Sequence, residues 1–157
     1  MPLLRCCSPP RRPELCDAED VIRIGGYVHP LFTDPEYVEA STFASRPWPG
    51  QALLLVMGGL LEQTGLFNEL AVALVGYDSV GFVAPAFDGD VIKVEVEQTD
   101  LIPGRSFDVG LFRCTAIRSD EQVLVETIMR FLLRKDAQSL SNTMTDRASE
   151  VASIPKS

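Results

Sequence analysis

Histidine is nearly missing from this chain: His29 is the only one among 157 residues. Zinc sites built on two histidines, such as HExxH, are thereby excluded, and any imidazole chemistry falls to His29. The four cysteines form no CxxC pair, since Cys6, Cys7 and Cys16 crowd the N-terminus and Cys114 stands far away. Common zinc and dithiol redox motifs are therefore absent, and no metal site is expected. Positive charge is scarce too, with 14 Lys and Arg against 22 Asp and Glu and a formal charge of −8. A surface this acidic repels a phosphate backbone, so nucleic acid is not an expected partner. No apolar run suits a membrane: Ala52 to Leu61 is far shorter than the ~20 residues a spanning helix needs. Glycine-rich phosphate loops and the Gly-x-Ser-x-Gly elbow are missing as well.

What is present fits one globular core. Hydrophobic residues make up 46% and charged residues 23%, and a chain of this length holds a single domain. Arg5, Arg11 and Arg12 interrupt the start, where a signal peptide would carry an apolar core, so a cytoplasmic protein with reduced thiols is expected. Residues 1–16, with Pro2, Pro9, Pro10 and Pro13, read as a flexible arm. Asp17 to Ile24 suits a short helix that Gly25-Gly26 ends. Tyr27 to Pro30 then runs extended, because a residue before proline avoids the α region. Asp34 caps a second helix, with Pro35 at its first position, reaching about Ser41. Gly50 to Thr64 is apolar nearly all round and long enough for about four turns, so something must wrap it. The pair Gly58-Gly59 inside it suggests close approach by a strand or an acyl chain.

Strands are expected at Val80–Ala84, Val91–Gln98, Ser106–Ile117 and Gln122–Arg134, separated by turn sequences that imply antiparallel meanders. In the second, Ile92, Val94 and Val96 share one face and Lys93, Glu95 and Glu97 the other, which gives a dry side and a wet side. A buried helix on a curved antiparallel sheet is an α+β architecture. The core domain spans 17–135, and the polar residues 136–157 read as a disordered tail.

These residues resemble a family. Gly26 through Tyr37, then Trp48-Pro49-Gly50 leading into the apolar helix, then Val80 through Pro85 and Gly89-Asp90, are similar to the MaoC-like dehydratases and hydratases of the hot-dog fold. The resemblance covers about residues 17–134. It implies an antiparallel sheet wrapped around a long central helix, pairing of two such units, and acyl-thioester sites at their interface. Hydratases of that family carry Gly-Asp-x-Asn-Pro-x-His, whose Asp and His activate water. Here the Asp falls at Tyr27, the Asn at His29, the Pro at Pro30 and the His at Phe32, so both activating groups are replaced. The family's Ala-His-Gly before the central helix becomes Trp48-Pro49-Gly50.

The chemistry that remains is limited. Gly50 stands at a helix N-terminus, whose unpaired amides and positive dipole end can polarise a thioester carbonyl; it equally relieves the turn after Pro49. Histidine is the side chain whose ordinary pKa lies nearest neutrality, so His29 is the candidate general base, against the plainer reading of a packing residue. Tyr27 can act as an acid or simply fill the pocket; Phe32 offers only shape. Asp34 reads as a helix cap and Asp88-Gly89-Asp90 as a turn. Arg46, near the Pro47–Gly50 entrance, is a candidate for a coenzyme A or carrier-protein phosphate. Catalytic candidates are thus His29, Tyr27 and Gly50, and substrate-binding candidates Phe32, Arg46, Trp48 and Pro49. The resemblance implies an acyl-CoA or acyl carrier protein thioester as substrate, a homodimer or heterodimer, and a lyase reaction. The alternatives are a catalytically silent subunit of a heteromer and a thioesterase or cyclase-like enzyme.

Overall fold

A computed structural model describes residues 4–11, 15–43 and 45–135. In chain order its elements are β1 (Arg5–Cys7), α1 (Leu15–Gly25), α2 (Pro30–Thr33), α3 (Pro35–Glu39), α4 (Gly50–Gln63), β2 (Ala71–Phe82), β3 (Ile92–Ile102), β4 (Asp108–Arg118) and β5 (Val123–Leu133). All five strands join one antiparallel sheet in the order β1-β3-β4-β5-β2. The consecutive strands β3, β4 and β5 form the expected meander, and β2 reaches past it to the outer side of β5.

The sheet curls around α4, because α4 has apolar side chains to bury on more than one side. Ala52, Leu53, Val56, Met57, Leu60 and Leu61 are all buried, each large one worth ~1.5–3 kcal/mol on removal from water. They meet Val94, Phe112, Leu124 and Met129 in one core. At one end of that core Phe67 stacks on Phe131 at a centroid distance of 4.3 Å and meets Phe112 edge-on at 5.2 Å. β3 alternates as its sequence requires, with Ile92, Val94 and Val96 buried under Lys93, Glu95 and Glu97.

Local signals act where expected. α1 stops at the glycines: Gly26 takes φ +66°, and the Tyr27 amide donates back to the Ile22 carbonyl at 3.0 Å. Asp34 Oδ1 accepts from the Glu36 and Tyr37 amides at 3.0 and 3.3 Å, capping α3 with Pro35 at its first position.

Three expectations are corrected. Residues 4–11, expected within a flexible arm, lie along β3: Arg5 pairs with Glu97, the Ser8 amide donates to Val94 and Arg11 bridges Ile92. Prolines at 9 and 10 lack only their own N–H groups, and an edge strand tolerates that loss. β2 begins at Ala71, well before Val80, and carries three register shifts against β5. Each shift breaks the period-two pattern that marks a strand in sequence. Finally, a β-carbon on Gly58 or Gly59 would meet nothing within 4 Å among the described residues, so no strand makes the close approach expected there. The tail at 136–157 lies outside the described residues. Among the described residues, no helix is long and apolar enough to cross a membrane.

Candidate functional site

The segment between α1 and α3 is short of regular structure but rich in contacts. His29 caps α2 with its side chain: Nδ1 accepts from the Leu31 amide at 3.1 Å. A ring nitrogen that accepts carries no proton, so neutral His29 holds its proton on Nε2. The ring is exposed and meets Tyr37 edge-on at 5.8 Å and Phe32 at 6.3 Å. Phe32 in turn meets the Tyr27 ring edge-on at 5.4 Å. Tyr27, Phe32, His29 and Tyr37 therefore make one aromatic cluster. It reaches α4 through a single polar bond, from the Tyr27 hydroxyl to Gln51 Oε1 at 2.9 Å.

α4 starts without a side-chain cap. Pro49 has none to give, and the Ala52 amide bonds the Pro49 carbonyl at 2.9 Å, which leaves the Gly50 and Gln51 amides ahead of it. Gly50 has a further reason to be glycine that its sequence context does not reveal. A β-carbon there would stand 2.8, 2.9 and 3.0 Å from Cε1, Cζ and Cδ1 of Phe82. The ring at the end of β2 thus lies against the first residue of α4.

The other candidates gather around the turn between β2 and β3. Trp48 is buried, its Nε1–H donating to Asp88 Oδ1 at 2.9 Å and its amide to the Ala86 carbonyl at 2.8 Å. Pro49 is fully buried beside it. Both side chains are packed into the protein and fix the loop that delivers Gly50. Arg46 Nη2 is buried without a hydrogen bond, 3.7 Å from Asp88 Oδ2. Arg46 and Phe32 line an open groove of about 580 Å³ whose remaining charged side chains, Glu19, Asp34, Glu39 and Asp88, are all carboxylates. One guanidinium among four carboxylates is a poor setting for a phosphate.

Two groupings result. Tyr27 and Gly50 meet the start of α4 through Gln51 and Phe82, neither of which the sequence marked, while Phe32 and His29 join only through the aromatic cluster, with Phe32 also lining the Arg46 groove. Arg46, Trp48 and Pro49 belong to the neighbouring turn, organised by Asp88. Asp88 sits beside Gly89, at φ +90°, within a turn where the Phe87 amide donates to Asp90 Oδ2 at 2.9 Å. Its sequence signature was that of the turn alone. Cys114 is buried on β4, and burial pushes its thiol up to about 12, so it stays protonated and inert.

No protein-family profile matches the chain, and no curated protein does. Solved structures do. A MaoC-like dehydratase from Rhodospirillum rubrum superposes with TM-score 0.71 at 17% identity, over 83% of this chain and 90% of that one. The fold is the hot-dog fold. An (R)-hydratase from A. caviae involved in PHA biosynthesis gives TM-score 0.68 at 20% identity, over 82% and 92%. A C-terminally truncated HadBC complex from Mycobacterium tuberculosis, a (3R)-hydroxyacyl-ACP dehydratase, gives 0.67 at 14%, over 82% and 95%. Likeness at these identities speaks to the hot-dog fold and leaves chemistry to the site itself.

Proposed function

We propose that this chain acts on acyl thioesters of coenzyme A or an acyl carrier protein as a dehydratase or hydratase-like lyase with an altered active site. One observation supports the reading, together with the resemblance of the Tyr27–Phe32 segment to that of the hydratases: Tyr27 bonds to the uncapped first turn of α4. In this reading the Gly50 amide polarises the thioester carbonyl, and His29 moves the proton at the adjacent carbon. His29 rests as a donor at Nε2. Serving as base at Nδ1 would release the Leu31 amide, a lost cap of about 1 kcal/mol. That is less than a tenfold rate penalty, against the roughly 10²–10⁴ a general base contributes. His29→Ala is therefore expected to lower turnover of an enoyl thioester, followed by loss of enoyl absorbance, by about 10²–10⁴. Undiminished turnover would remove His29 from the mechanism.

A specific observation favours a second reading, a catalytically silent subunit beside an active partner. Tyr27 bonds Gln51 and His29 bonds the Leu31 amide, so among the described residues neither side chain is hydrogen-bonded to a carboxylate that could assist it. The double change Tyr27→Asp with Phe32→His rebuilds the family's water-activating pair. Hydration by that variant, with an inactive wild type, would favour the silent subunit.

Either reading includes assembly, for which a homodimer through β2 is proposed. β2 is a twelve-residue edge whose Val72, Leu74, Val75, Tyr77 and Val80 are all exposed. Such an edge is a ready template for a second strand. The open flank of α4 at Leu55, Gly58 and Gly59 gives a second unfilled apolar surface. A cytoplasmic setting accompanies the reading.

A further inference from the structure

We infer that Phe82 sets how much acyl group the site admits beside Gly50. The inference rests on the acyl-thioester reading and adds to it a residue that limits chain length. The ring stands in the place of a Gly50 side chain, with three of its atoms within 3.0 Å of where a β-carbon would be. A ligand carbonyl drawn to the first turn of α4 therefore brings its chain up against this ring.

The backbone that carries Phe82 is fixed while the ring is not. Phe82 pairs with Val125 on β5, and just beyond it the Val83 and Ala84 amides both donate to the Leu124 carbonyl, at 2.8 and 3.3 Å. Phe82 is nevertheless 50% exposed. A ring with one side in solvent can turn about its side-chain torsions without disturbing the core, unlike fully buried Phe112. Tyr27 is tied to the neighbouring Gln51 and Trp48 is buried and bonded to Asp88, so of the aromatic side chains around this turn Phe82 is the one left to yield. In this inference a short acyl group leaves the ring in place and a longer one displaces it.

The test is calorimetric titration of the full chain with non-hydrolysable 2-oxoalkyl-CoA thioethers, which keep the carbonyl with a methylene between it and sulfur, with chains from two to twelve carbons. In wild type, affinity is expected to stop rising beyond a short chain. In Phe82→Ala it should keep rising by about fourfold for each further methylene buried, and Phe82→Leu should fall between. The same cut-off in all three proteins overturns the assignment while leaving thioester binding intact. Binding by none of them at any length overturns the acyl-thioester reading and the assignment with it. A ligand-free arm checks the geometry: Gly50→Ala should raise the melting temperature less in wild type, where the new β-carbon must push the ring aside, than in Phe82→Ala. Equal effects in the two backgrounds would mean that the ring does not rest on Gly50, and would overturn the proposal whatever the titrations give.

Discussion

Cys114 lies opposite Thr127 on β5 and Val96 on β3, under a sheet that excludes water. Its thiol, pushed up to about 12 from an ordinary 9.0 by burial alone, ties a residue to the stability of the whole. Between those two values the unfolded chain loses a proton that the folded chain keeps, so stability falls as pH rises through that window. The expected contribution is about 1.4 kcal/mol per pH unit. Wild type should thus lose stability faster than Cys114→Ala when denaturant midpoints are compared from pH 9 upward; parallel profiles would contradict it. Below pH 9 the thiol should resist disulfide reagents until the protein unfolds. At this same scale, sequence reading reached what neighbours in the chain decide. The Asp34 cap, the glycines ending α1 and the glycine in the Phe87–Asp90 turn each follow from contacts a few residues apart. Gln51 beside Tyr27 and Phe82 against Gly50 do not, because nothing local marks a residue whose partner arrives from another element.

Among the elements, β3, β4 and β5 were legible because apolar residues recur along them with turns at their ends, and α4 because its apolar run is too long for a strand. β1 and the first half of β2 were not. Both are edge strands bonded on one side only, so neither needs the alternation that burial on a face imposes. The bulges in β2 and the prolines after β1 then erase what pattern is left. α4 holds the opposite lesson, since Gly58-Gly59 suggested a close approach that the described residues do not make. Glycine costs roughly 1 kcal/mol against alanine inside a helix, so the open face with two glycines poses a testable choice between a covering partner and solvent. If a second copy covers that face, Gly59→Ala should weaken assembly; if solvent covers it, the same change should raise the melting temperature by a few degrees. Scanning calorimetry at several protein concentrations separates these outcomes, because only the first depends on concentration.

For the whole molecule, the proposed pairing through β2 has a direct check. Val75→Lys and Val80→Lys each place a cation on the exposed edge without touching the core. Light scattering should give the mass of two chains for wild type and of one for the double variant. A single-chain mass for wild type at micromolar concentration would refute the dimer. The sheet's two borders are unequal in a way that bears on how such growth would end. At β2 the border is twelve residues long; at β1 it is three, followed by Pro9 and Pro10. A sheet with two long borders can recruit copies head to tail without limit and grow into a ribbon. In the proposed twofold pair both long borders would be consumed at once and the two stubs would face outward. The N-terminal strand, by pairing with β3, would then be what stops the count at two.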